Sequence, residues 1–189
     1  MIVCESIKPD EYNHVVDLAV EVFMEDKFFI KYWPDEQKRH ENLVEIYRDG
    51  LEICDKNFGG TMVAKLDGKV VGFLMYFDYV KFRKANLADF KKIFGVEIQH
   101  NHVAPMSFAK IHRLVLKSKQ NPVYVLAIGV GKNYQHQGIG RALFADFLKR
   151  FEDRVIMSDI SGPFFLRLCQ KYGFDLAPIS DVCYVAISK

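Results

Sequence analysis

The sequence predicts one mixed α/β domain, and three observations predict it. Two apolar runs flank Asp67-Gly68, a dipeptide whose conformational freedom suits the tight turn of a β-hairpin. Residues 123–130 (Val-Tyr-Val-Leu-Ala-Ile-Gly-Val) form a continuous apolar run, as expected of a strand buried on both faces. Between these runs lie segments whose apolar residues recur at helical spacing.

In chain order, residues 2–7 read as a first strand. Pro9-Asp10 opens a helix that places Val15, Leu18, Ala19, Val22 and Phe23 on one face. An aromatic stretch, Phe28-Phe29-Ile30-Lys31-Tyr32-Trp33, is closed by Pro34-Asp35. A second helix starts near Asp35, buries Leu43, Ile46, Tyr47 and Leu51, and ends before Gly59-Gly60. The hairpin pairs 61–66 with 69–79. Residues 82–119 are helical in flavour with breaks near Gly95 and Pro105. After the strand at 123–130 come a polar turn, a helix from Gly138 burying Leu143, Phe147, Leu148 and Phe151, and a strand at 154–159. A helix at 163–172 and terminal strands after Gly173 complete a single domain over residues 1–189.

Composition narrows the function. Of 189 residues, 50% are apolar and 26% charged, as in ordinary globular proteins, and no apolar run reaches the ~20 residues that span a bilayer. No basic region followed by a long apolar stretch opens the chain, so the expected address is the cytoplasm. Cys4, Cys54, Cys169 and Cys183 form no Cys-x-x-Cys pair and read as reduced thiols. The net charge of +2 makes no case for nucleic acid. Residues 81–120 are nonetheless rich in Lys and Arg, which reads as a solvated helical face or a surface for an anionic partner. His100-Asn101-His102 has no Cys or carboxylate cluster to complete a ligand set, so no metal is expected.

The informative segment runs from Val130 to Arg141: Val-Gly-Lys-Asn-Tyr-Gln-His-Gln-Gly-Ile-Gly-Arg. It joins a buried strand to an amphipathic helix. Glycines at 138 and 140 let successive N–H groups point outward at a helix N-terminus, a setting that favours a diphosphate. A Walker A loop fails here, because Asn133 follows Gly131-Lys132 and Leu126 stands five positions before Gly131. A dinucleotide fingerprint from Gly129 fails at Tyr134, which leaves nucleotide binding through 129–132 as the weakest reading. What remains is Gln-x-x-Gly-x-Gly, at Gln135, Gly138 and Gly140.

In this loop the chain resembles the GNAT superfamily of N-acetyltransferases, whose pyrophosphate loop reads Gln/Arg-x-x-Gly-x-Gly/Ala, commonly within Tyr-Gln-x-x-Gly-Ile-Gly, as at residues 134–140. The order of elements is similar along nearly the whole chain. Residues 23–39, with Pro34-Asp35 and Arg39, and Gly72 beyond them resemble the branch that contains puromycin acetyltransferase. The resemblance implies a central twisted, mostly antiparallel sheet flanked by helices and splayed at the acyl-CoA site. It implies acetyl-CoA as cosubstrate and a small-molecule or peptide amine as acceptor, and family habit adds a homodimer as an option. Ile128, Gly129 and Val130 would pair with the pantetheine arm, with the Val130 N–H at the thioester carbonyl. Gln135, His136, Gln137, Gly138, Ile139, Gly140 and Arg141 would form the diphosphate loop.

Acid and base are less plainly marked. Many family members carry a tyrosine acid in Leu-Tyr-x-Lys-x-Gly-Phe, and this chain reads Leu168-Cys169-Gln170-Lys171-Tyr172-Gly173-Phe174. Cys169 is therefore a candidate acid or a small buried hydrophobe, and Tyr172 a substitute acid or a packing residue. The missing tyrosine also keeps open a non-catalytic acyl-CoA sensor. Tyr124 is a candidate for proton relay, and His112 qualifies only because histidine titrates near neutrality. Glu25 and Asp26 could bind a cationic amine or be surface residues at a helix end. Phe29 and Trp33 could line an acceptor pocket or belong to the core.

Overall fold

The apolar run at 123–130 is a strand, β4 (Val123–Val130), the fourth in order across a seven-stranded sheet. The computed structural model describes residues 1–84, 121–181 and 183–188. On one side of β4 lie β3 (Lys69–Asp78), β2 (Gly59–Leu66) and β1 (Ile2–Ser6). On the other lie β5 (Ile156–Ile160), β7 (Cys183–Ile187) and then β6 (Asp175–Ser180) at the edge. All neighbouring strands are antiparallel except β4 and β5. The β2–β3 turn has positive φ at Asp67 (50°) and Gly68 (81°), the geometry for which Asp-Gly is selected.

Helices cover both faces. α1 (Tyr12–Phe23), α2 (Lys27–Tyr32) and α3 (Glu36–Ile53) lie on one side, where Val15, Leu18, Leu43 and Leu51 share a core with Phe73, Phe77, Tyr124 and Met157. α5 (Ile139–Arg150) and α6 (Pro163–Lys171) lie on the other, where Leu143, Phe144, Phe147 and Leu168 meet Leu74, Val125 and Ile156. A strand packed on both faces needs apolar side chains at every position, which is why 123–130 shows no polar alternation.

Local chemistry moved several boundaries. A 3₁₀ turn at Pro9–Glu11 precedes α1, so the helix starts later than Pro9. The aromatic stretch, to which periodicity assigned no element, folds as α2 because the Asp26 carboxylate caps it, accepting from the Phe28 N–H at 2.8 Å. Asp35 caps α3 in the same way, accepting from the Lys38 N–H at 2.7 Å, and α3 runs into a π-helical turn at Cys54–Phe58. β3 stops at Asp78, which accepts from the N–H groups of Val80 and Lys81 and starts α4 (Tyr79–Arg83). The expected breaks near Gly95 and Pro105, the basic residues from 85 to 120, His112 and the His100/His102 pair lie outside the described residues.

Two irregularities of β4 shape the site. Opposite β3, Met75 pairs with Ala127 but Tyr76 with Val125, so Leu126 is an extra residue, a bulge of the kind that re-aims a strand. Opposite β5, only residues 123–125 pair, with 156–158. Beyond Val125 the far edge of β4 has no strand partner among the described residues, and the sheet opens.

Candidate functional site

The opening between β4 and β5 leads into a cavity of about 840 Å³. Residues 126–130 form one wall, the 134–136 loop and the N-terminal turn of α5 a second, and Asp159 to Phe165, the α1–α2 corner and residues of α3, α6 and β7 complete it. The Gly131 N–H donates to the Val71 carbonyl at 3.0 Å, toward β3. Strand peptide groups alternate in direction, so the N–H groups of Val130 and Ile128 point to the open edge. The Val130 carbonyl on that edge accepts from Gln135 Nε2 at 3.1 Å, which ties the following loop to the strand.

The loop presents its backbone to the cavity. His136 (φ 63°) and Gly138 (φ 82°) both have positive φ, which turns neighbouring amides toward one concavity. Gly138 is the N-cap of α5 and supplies no side-chain acceptor. The Ala142 N–H is the first to find a helical partner, the Gly138 carbonyl at 2.9 Å, so those of Ile139, Gly140 and Arg141 are left for an anion. The two glycines serve different needs. A Cβ on Gly138 would meet nothing within 4 Å, whereas one on Gly140 would lie 2.5 Å from the Phe164 ring, where α5 approaches α6. Arg141, Arg167 and Lys171 also line the cavity. An uncapped helix, converging amides, three cations and an unpaired strand edge fit a long thioester carrying a diphosphate.

The opposite end is acidic. Asp26 accepts from the Ser161 hydroxyl at 3.1 Å as well as capping α2, and burial raises its carboxyl above the ordinary range. Asp159, at the end of β5, accepts from the Tyr124 hydroxyl, and burial pushes its carboxyl up to about 6. Tyr47 reaches the same region from α3, and burial, then the charges of Asp26 and Asp159, hold its phenol well above 10. Arg39, 8% exposed, steadies this corner by donating to the carbonyls of Met24 (2.9 Å) and Trp33 (2.7 Å).

The candidates from the sequence divide by position. Ile128, Gly129, Val130, Gln135, His136, Gly138, Ile139, Gly140, Arg141, Glu25, Asp26 and Phe29 all line the cavity. Gln137 does not; its side chain turns back to the Asn133 carbonyl at 3.4 Å. Glu25 is exposed and ion-paired with Lys132 at 2.8 Å. Trp33 lies beneath Phe29, stacked at 5.5 Å and 3% exposed, and belongs to the core. Tyr124 is fully buried and off the cavity wall, and its hydroxyl donates to Asp159, which lines the cavity. Cys169 is 0% exposed and off the cavity wall, with burial pushing its thiol up to about 12. Tyr172 is exposed, packs edge-on against Phe144 at 5.5 Å, and is also off the wall. Asp159, Ser161, Tyr47 and the α6 cations also line the cavity, and no sequence motif marks them as site residues. For Asp159 the only signal was one carboxylate at the end of an otherwise apolar and hydroxylated strand. Among the described residues no group of three or more His, Cys, Asp and Glu is arranged to hold a metal, and no helix is long and apolar enough to cross a membrane.

A family model described as the acetyltransferase (GNAT) family matches residues 20–174. By sequence the chain has no match among curated proteins. Solved structures share the fold at low identity. A histone acetyltransferase HPA2 and related acetyltransferase from Corynebacterium glutamicum is 18% identical with a TM-score of 0.66, over 98% of this chain and 94% of that one. The PaiA N-acetyltransferase of Thermoplasma acidophilum, solved in complex with coenzyme A, is 11% identical with a TM-score of 0.63, over 100% and 99%. A polyamine N-acetyltransferase of Drosophila melanogaster, described as forming N-acetylagmatine, is 12% identical with a TM-score of 0.63, over 99% and 98%.

Proposed function

Because this chain belongs to the acetyltransferase (GNAT) family, with acetyl-CoA as its cosubstrate, we propose that it acetylates the nitrogen of a small cationic amine. One observation carries this reading: the unpaired edge of β4 runs from an amide-lined anion cradle to a pocket holding two carboxylates. The amides of Ile139 to Arg141 and the cations Arg141, Arg167 and Lys171 would hold the diphosphate, and Ile128 and Val130 the pantetheine arm. Bound acetyl-CoA supplies an activated acyl group. The Val130 N–H, held in place by the pairing of β4 with β3, is aimed where charge develops on a carbonyl oxygen. Asp26 and Asp159 attract the acceptor's positive charge, while Phe29 and Ile128 supply apolar wall. The Drosophila relative of the fold is named for polyamines, which agrees with an acidic pocket.

The test is release of CoA thiol from acetyl-CoA with a panel of diaminobutane, agmatine, phenylethylamine and a short peptide with a free N-terminus. Turnover with the small cationic amines, faster than with the peptide, is expected. Acetyl-CoA binding with silence across the panel would instead make the chain a CoA-binding module.

Cys169→Ala is expected to turn over within a few-fold of the wild type, since the buried thiol does not reach the cavity. A folded variant that lost the ~100-fold or more of an acid catalyst would place the thiol in the chemistry.

A further inference from the structure

The geometry points to Asp159 as the catalytic base that takes the acceptor's ammonium proton, with Tyr124 as its positioning residue. The inference rests on the acetyltransferase reading above and names the group that makes the amine nucleophilic.

Asp159 stands where β4 and β5 part, across the opening from the β4 edge that would carry the acyl group. In β5 it alternates with Ser158 and Ile160, so its side chain shares the α1–α3 side of the sheet with Met157. The Tyr124 hydroxyl donates to Oδ1, and no second described side chain donates to the carboxylate, which leaves an oxygen for a ligand. Asp26 is differently placed. One of its oxygens caps α2 and the other accepts from Ser161, so it is suited to hold a charge rather than to receive a proton. Tyr124 is itself no base, because its proton is committed to Asp159.

The other titratable and charged groups around the cavity leave Asp159 without a partner cation. Tyr124 faces it from β4, Tyr47 from α3 and Asp26 from the α1–α2 corner, beside Glu25, which is paired with Lys132; Cys183 on β7 and Arg167 and Lys171 on α6 line the same cavity, with Tyr134, His136 and Arg141 at the phosphate end. No described cation forms an ion pair with Asp159. A carboxylate in an enclosed site with no countercharge is complementary to an incoming ammonium. Its elevated value, about 6, keeps it ionised at neutral pH while making it a better proton acceptor than a surface aspartate.

The ammonium gives a proton to the Asp159 carboxylate, and the freed nitrogen lone pair forms the C–N bond to the thioester carbon. The C–S bond breaks with its electron pair on sulfur, and the second nitrogen proton passes to sulfur. Asp159 then returns its proton to solvent, so the products are the N-acetylamine, CoA thiol and one proton.

The experiment is the pH dependence of kcat/KM for the best amine of the panel, in the wild type, Asp159→Asn and Tyr124→Phe, with thermal stabilisation by acetyl-CoA measured alongside. The wild type should lose about tenfold per pH unit below about pH 6. Asp159→Asn should keep its stabilisation by acetyl-CoA, lose ~100-fold or more in kcat and lose the acidic limb. Tyr124→Phe removes a hydrogen bond to the charged form, so its acidic limb should move to higher pH. An Asp159→Asn enzyme within about threefold of the wild type, with the same limb, overturns the assignment. If that variant does not fold, an unmoved limb in Tyr124→Phe overturns it. A wild type with neither stabilisation nor turnover removes the acetyltransferase reading and this inference with it, whereas an active Asp159→Asn removes only the latter.

Discussion

Gly138→Asp is expected to abolish the stabilisation that acetyl-CoA confers on the wild-type protein. A ligand at 100 times its Kd stabilises the native state by about 2.7 kcal/mol, which for a domain of this size is a rise of ~5–10 °C in Tm. Gly138 is the N-cap of α5, at φ 82°, with open space where a Cβ would be. Aspartate is among the few residues that tolerate this backbone region, so the variant should fold at a modest cost in stability. Its carboxylate would then occupy the amide cradle and repel the diphosphate. Gly138→Asn separates the two effects, because asparagine shares aspartate's tolerance of this backbone region without the charge and should retain most of the stabilisation. A Gly138→Asp variant stabilised as much as the wild type would place the donor elsewhere.

Phe144→Ala should lower stability by about 3–5 kcal/mol, the usual result of removing a fully buried phenylalanine. Phe144 is 0% exposed and holds α5 to α6 and to the chain beyond it. Its ring lies 5.3 Å edge-on to Phe165, 5.5 Å from Tyr172, 5.8 Å from Phe174 and 6.2 Å from Phe147. Denaturant unfolding should show the midpoint falling with little change in slope. The same change loosens the seating of α5 on α6, so acetyl-CoA should bind the folded variant more weakly. A loss under about 1 kcal/mol would mean that this face of the sheet is not a packed core.

Some elements were legible because a single physical demand set their residues. β4 had to be apolar on both faces, and its ends fall at Val123 and Val130 as the run predicts. The hairpin turn needed two positive φ values, and Asp67-Gly68 provides them. The loop before α5 needed glycine at a left-handed N-cap, and the spacing of Gly138 and Gly140 announced it. By contrast α2 is only six residues long and carries no amphipathic period. Its existence depends on the Asp26 cap and on Arg39, which grips the corner from α3. Trp33 and Phe29 are equally aromatic, and only tertiary stacking decides that Phe29 lines the cavity while Trp33 lies beneath it.

The acid–base residues were hardest to read for the same reason. The frame around Cys169 and Tyr172 was visible, but the rotation of α6 about its axis was not, and it turns Cys169 into the core. Asp159 belongs to no motif. Its environment comes from Tyr124, 35 positions away on the neighbouring parallel strand, and from Tyr47 on the opposite side of the opening. Charge and burial there are properties of the assembled sheet, and no local pattern encodes them.

The most direct test of the central claim is mass spectrometry of the acceptor after incubation with isotopically labelled acetyl-CoA, because thiol release alone could arise from hydrolysis. The label should appear in an amide on the nitrogen of a small cationic amine. Label recovered only as free acetate across the whole panel would contradict it.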